Sequence, residues 1–253
     1  MSKVIALFNQ SGGVGKTTLT MNLGYQLTVR GHQVLLIDMD PQASLTTFMG
    51  FDLTEQDQTI YDVLISEEEA PIPILQAHLM HLSPANIILA NAEQELVLAE
   101  QRELRLKEPI SKFASHYDFI LIDCPPSLGI LSQISLIAAT HVLVPIQTQF
   151  KALMGTDSLL KTIKKVQRRL NKSLAIAGFC PTMFATGNAL DQRTLEAINE
   201  QLATIGHIFT PIPRATALAE ASEYGKPLAL SPKKNAAVLA IFDEIATSLE
   251  QLR

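Results

Sequence analysis

The chain has 253 residues, 47% hydrophobic and 18% charged, which suffices to bury a large core and excludes a disordered or low-complexity polymer. Its net charge of −5 excludes a protein that holds nucleic acid by bulk charge, so any such contact needs a local patch. The two cysteines, Cys124 and Cys180, match no metal spacing, no apolar run reaches membrane-spanning length, and the N-terminus lacks a signal-peptide pattern; a cytoplasmic location with reduced thiols is expected.

In chain order, VIALF at Val4 to Phe8 has the length and residue types of a buried parallel strand. It runs into FNQSGGVGKTTLT, where Gly12, Gly13 and Gly15 let the backbone bend with its amides pointing inward. Ser11, Gly12, Gly13, Val14, Gly15, Lys16, Thr17 and Thr18 then form a phosphate loop. Lys16 supplies a mobile charge for the β- and γ-phosphates, Thr17 a hydroxyl for Mg²⁺, and the helix from about Thr17 aims its positive end at the same oxygens. Strand, turn and helix occur in the order that the motif demands.

A helical pattern stops at Gly31 and QVLLID follows as a second buried strand. At its end Asp38 and Asp40 are two apart, so both carboxylates leave an extended backbone on one side. Residues 51 to 115 are less legible. TIYDVLI is helix-like, Glu67 to Glu69 form an acidic loop, LMHLSPA suggests a short strand, and the amphipathic run from Ala92 to Phe113 is one or two helices broken at Pro109. YDFILIDCPPS is an apolar strand ending in Asp123 and stopped by two prolines, the form of a Walker B motif.

LGILSQISLIAA reads as a helix, THVLVPIQTQF as a strand, and the stretch from Lys151 to about Leu170 as a helix. That helix carries Lys161, Lys164, Lys165, Arg168 and Arg169, with Lys172 beyond it, at three- and four-residue steps on one side and with no acid between residues 158 and 172. The stripe is either a solvated face or a phosphate contact such as DNA. SLAIAGFCPTMF is a further strand, NALDQRTLEAINEQL a helix, and the last amphipathic helix is acidic, with Asp243, Glu244 and Glu250 against Arg253; it lacks the cationic face that anionic lipid needs.

These motifs together resemble the ParA/MinD group of P-loop ATPases over nearly the whole chain. That group's loop reads KGGxGKTT against SGGVGKTT here, its second motif reads DxDPQ, and its late segment IPR…EA…GKP matches His207 to Leu228. The resemblance implies one doubly wound α/β domain over residues 1–253, mostly parallel, with helices on both faces. It implies ATP and Mg²⁺ as cofactors, with Asp38 and Asp123 joining Thr17 around the metal and Asp40 orienting or activating the attacking water. In the alternative reading Asp40 is a turn residue before Pro41. Pro211, Ile212 and Pro213 would wall the adenine, or serve only as a rigid connector.

By the same resemblance the protein forms a homodimer on Mg·ATP, binds nucleoid DNA nonspecifically through the lysine and arginine stripe or Arg214, and is released when an adaptor stimulates hydrolysis. Ser11 stands where the group carries its signature lysine, as in the McdA-type branch that spaces carboxysomes. Plasmid or chromosome partition is the alternative, and a MinD-like membrane ATPase a further one that the acidic last helix disfavours. Lys151, the first cation after strand HVLVPIQ, is either the substitute for the missing lysine or a solvated side chain opening a helix.

Overall fold

Short runs rich in Val, Ile and Leu make strands that are buried on both faces, and in this chain they alternate with helical stretches, the pattern of a parallel sheet wound by crossover helices. A computed structural model of the protein describes residues 2–68 and 70–252, apart from the side chains of 150, 152 and 153. Glu69 and Arg253 lie outside the described residues.

The strands are β1 (Lys3–Leu7), β2 (Val34–Asp38), β3 (Leu75–Ala77), β4 (Met80–Ser83), β5 (Phe119–Asp123), β6 (His141–Gln147) and β7 (Ala175–Thr182). They form one sheet in the order β3-β4-β2-β5-β1-β6-β7, parallel throughout except for the antiparallel edge pair β3·β4. The helices are α1 (Lys16–Val29), α2 (Ser44–Phe48), α3 (Ile60–Ile65), α4 (Leu89–Leu98), α5 (Lys107–Phe113), α6 (Ile130–Ala138), α7 (Phe150–Arg169), α8 (Ala189–Leu202), α9 (Thr216–Glu223) and α10 (Ala236–Glu250).

Alternate residues of each strand feed two cores. Val4 and Ala6 of β1, with Ile120 and Ile122 of β5, face a core that takes Leu96 of α4, Ile134 of α6 and Ile163 of α7. Ile5, Leu7 and Leu121 face the other, which takes Leu23 and Leu27 of α1 and Phe242 and Ile245 of α10. The expected doubly wound architecture is therefore the one observed.

Several local readings differ. The break in the Ala92–Phe113 stretch is not at Pro109, which sits in the first turn of α5 where its missing N–H costs nothing. It falls at Ala99, which is extended, and Gln101, which is left-handed. Helices α2 and α9 and the three-residue β3 carry too few periodic residues to stand out in the sequence. Residues 208 to 213 run beside β7 as an irregular edge, bridged at Phe179 to Ile208 and at Phe184 to Pro213.

Candidate nucleotide site

The parallel strands end together, and the register fixes what they present. Leu7, Asp123 and Asp38 are level on β1, β5 and β2, so the phosphate loop emerges beside two carboxylates. Gly13 (φ 70°) and Gly15 (φ 91°) take left-handed backbone that side-chain-bearing residues adopt at a cost. Gly12 does not, and a Cβ there would meet Pro126 only at ordinary contact distance. Among the described residues, the amides of Gly12, Gly13, Gly15, Lys16, Thr17 and Thr18 donate to no acceptor outside helix α1. An unsatisfied row of N–H groups at a helix start is a built anion nest.

The loop is braced from within. Asn9 donates from Nδ2 to Pro145 O (2.7 Å) and accepts the Ser11 amide on Oδ1 (2.9 Å). The Lys16 ammonium, 6% exposed, donates to Asn9 O (3.0 Å) and Ser11 O (2.9 Å). Burial lowers its pKa, and the Asp123 carboxylate opposes that shift. Gln10 reaches from the loop to α7, donating from Nε2 to Gly155 O at 3.1 Å.

Three carboxylates at and just past the strand ends have unequal environments, and two of them, Asp123 and Asp40, act on this lysine. Asp123 is fully buried; its Oδ2 accepts the Thr17 hydroxyl at 2.7 Å, and burial, then the Asp38 charge, holds its pKa well above the usual range. Asp38, also fully buried, accepts the Thr46 amide (2.9 Å) and hydroxyl (2.8 Å) on one oxygen and the Asp40 amide (3.2 Å) on the other. Burial raises its pKa to about 6 despite those donors. Asp40 is half-buried, and its Oδ1 accepts the Gln42 amide at 3.0 Å.

Two buried acids that resist ionisation, beside a threonine hydroxyl, fit a hard dication that supplies the missing positive charge. Among the described residues no group of three His, Cys, Asp or Glu side chains is placed to hold a metal by itself. Mg²⁺ would be held by Thr17 with Asp123 and Asp38 around it, its shell completed by phosphate oxygens and water. It would supply charge neutralisation at the transferring phosphate.

Beside Gly15 and Thr18 opens a cavity of about 600 Å³, walled by Leu19, Phe48, Met183, Ile212, Pro213, Leu218 and Phe242. The apolar lining suits a flat base. Ile212 and Pro213 line this cavity and Pro211 does not. Arg214 does, which sets it at this cavity instead of on the α7 stripe. Phe48, Met183 and α9 carry no periodic signal in the sequence; Met183 takes left-handed backbone (φ 56°) just past β7. Thr182 ties this wall to the loop, donating to Val14 O at 2.9 Å.

Lys151 is exposed in the first turn of α7, four residues before Gly155, and so lies on the phosphate side of the sheet. Lys161, Lys164, Lys165, Arg168, Arg169 and Lys172 are all exposed, and among the described residues none makes an ion pair. Leu159, Leu160, Ile163 and Val166 bury the opposite face of α7. At ~1.5 Å per residue the stripe runs away from the phosphate end towards the far end of the helix. Cys124 and Cys180 are fully buried; burial pushes the Cys124 thiol up to about 12 and raises Cys180 further.

The AAA domain family matches residues 2–176. The chromosome-partitioning ATPase Soj of Treponema pallidum is 39% identical over 231 residues, 90% of this chain and 89% of its own. Cobyrinic acid a,c-diamide synthase of Mycobacterium smegmatis, solved with bound ADP and magnesium, is 35% identical with a TM-score of 0.80 over 89% of this chain and 93% of its own. An ATP complex of a Cyanothece McdA variant has a TM-score of 0.89 over 98% and 96% of the two chains, and its 22% identity carries the likeness of fold alone. With its phosphate loop, its two strand-end carboxylates and relatives of this closeness along its length, the chain belongs to the ParA/MinD family of P-loop ATPases.

Proposed function

We propose that this protein is a positioning ATPase that binds Mg·ATP, dimerises in that state, holds nucleoid DNA without regard to sequence, and lets go when an adaptor stimulates hydrolysis. The nest amides and Lys16 grip the phosphates, Thr17, Asp38 and Asp123 organise the metal's surroundings, and Asp40 positions the attacking water. The base lies against Ile212 and Pro213.

The observation that carries the DNA reading is α7 itself. Among the described residues its exposed cations make no ion pair, and its first turns are hydrogen-bonded to the phosphate loop through Gln10. One rigid helix thus joins a nucleotide sensor to a phosphate-binding face. For cargo, the 39% identity to a chromosome-partitioning ATPase moves a chromosome or plasmid ahead of carboxysomes, whose McdA shares only the fold at 22%. A membrane role has less support. No helix among the described residues is long and apolar enough to cross a bilayer, and α10 turns Val238, Phe242 and Ile245 into the core while Arg30 pairs its Asp243 and Glu250.

DNA binding measured with ATP, with ADP and without nucleotide, at two salt concentrations, tests the proposal. ATP alone should support binding that falls steeply with salt. Replacing Lys164, Lys165, Arg168 and Arg169 with Glu should remove binding and spare ATP hydrolysis. Full DNA affinity in that variant would move the patch off α7, and equal binding with ADP would break the proposed cycle.

A further inference from the structure

The turn between β3 and β4 is made of residues poorly suited to it. His78 (φ 53°) and Leu79 (φ 66°) are consecutive left-handed residues with side chains, in a two-residue hairpin turn where Asn-Gly is the preferred pair. Leu79 is 81% exposed, so its strained position is not offset by burial. His78 has a partner. Its Nε2–H donates to Gly225 O at 2.8 Å, across 147 residues of sequence.

Gly225 stands where two walls of the base cavity converge. It follows α9, which contributes Leu218, Ala219, Ser222 and Glu223 to the cavity. Its own backbone is left-handed (φ 63°), and a Cβ there would come within 3.1 Å of Gly50 Cα, just beyond α2, which contributes Phe48. The hairpin tip, the end of α2 and the end of α9 therefore meet at one point. The Lys233–Glu220 ion pair that also holds α9 involves a 74% exposed lysine, so it adds little.

We infer that His78 is a positioning residue for the nucleotide. By holding Gly225 it keeps α9 against α2, which sets how firmly the base is gripped and how fast the nucleotide leaves. The inference rests on reading the cavity as the base site. The strain of the turn is retained because the residue that bears it reaches the cavity wall.

Dissociation of a fluorescent ADP analogue, together with the affinity for pyrophosphate, tests this in wild type, His78→Ala and the double variant His78→Asn with Leu79→Gly. Both variants should release ADP about fivefold faster, the effect of losing one neutral hydrogen bond. Pyrophosphate has no base and should bind all three alike. The Asn-Gly turn should keep or raise the thermal midpoint, since it relieves the strain while its shorter side chain loses the reach to Gly225. Faster release from the more heat-stable protein cannot come from a loosened fold. Unchanged ADP release in both variants overturns the inference, as does a parallel loss of pyrophosphate affinity, which would make His78 a general structural residue. If wild type binds pyrophosphate as tightly as ADP, the base-site reading fails and takes the inference with it.

Discussion

The phosphate loop and the cavity proposed for the base touch at Gly15 and Thr18 yet are built on opposite plans. The loop is contiguous and polar: Lys16, Asn9 and Ser11 bond one another, and two glycines carry the left-handed backbone. The cavity is apolar and assembled from α1, α2, β7, the edge at Ile212 and Pro213, α9 and α10, so its shape depends on how distant elements dock. The phosphate end is thus preorganised by local geometry, whereas the grip on the base follows tertiary fit. Changes at the first should be steep, and changes at the second graded.

The largest effects belong to Asp40 and Lys16. Asp40→Ala should lower kcat by about 10²–10⁴, the usual contribution of a group that positions or activates water, with ADP affinity nearly unchanged. Lys16→Ala should weaken ADP and pyrophosphate alike, by about a hundredfold or more, because both lose a charge-assisted contact. Calorimetry with the two ligands checks it. A loss confined to ADP would mean that Lys16 shapes the base cavity, and the contrast between the two regions would collapse.

The next effect is smaller. Leu218→Ala removes part of the apolar wall contributed by α9, and should weaken ADP about tenfold while leaving pyrophosphate as it was. Equal losses for both ligands would show that the wall supports the loop instead of the base.

The same contrast explains what was legible in the sequence. Gly13, Gly15, Lys16, Thr17, Asp38 and Asp123 lie at strand ends and at fixed spacing, so a linear pattern encodes their geometry. The parallel strands followed from the apolar runs for the same reason, because they are largely buried on both faces, whereas the edge strand β3 is not. Phe48, Leu218 and His78 lie on short elements whose placement is decided by packing, and nothing periodic announces them. Pro211, Ile212 and Pro213 are named by resemblance alone, and of these Ile212 and Pro213 line the cavity. In the stretch from Ala92 to Phe113 a proline drew the break to Pro109, although the chain turns at Ala99 and Gln101, residue types with no such signal.

The smallest expected effect concerns Ser11 and Lys151. In the proposed ATP-bound dimer two triphosphates close face to face and concentrate negative charge at the interface, and Ser11, standing where the resemblance expects a lysine, brings no charge to offset it. We propose that Lys151 opposes it. It opens α7 on the phosphate side, one turn from the Gly155 carbonyl that Gln10 holds. It is exposed and, among the described residues, has no carboxylate partner. A cation at a helix N-terminus is disfavoured by the helix dipole, so the position gains only when an anion arrives. In an Asp40→Ala background that keeps ATP uncleaved, Lys151→Ala should weaken ATP-dependent dimerisation about fivefold, the worth of one partly screened ion contact, and leave ATP binding by the monomer intact. Adding Ser11→Lys should restore part of it. Light scattering over a concentration series reads both variants, and undiminished dimerisation in Lys151→Ala would return that lysine to the solvent.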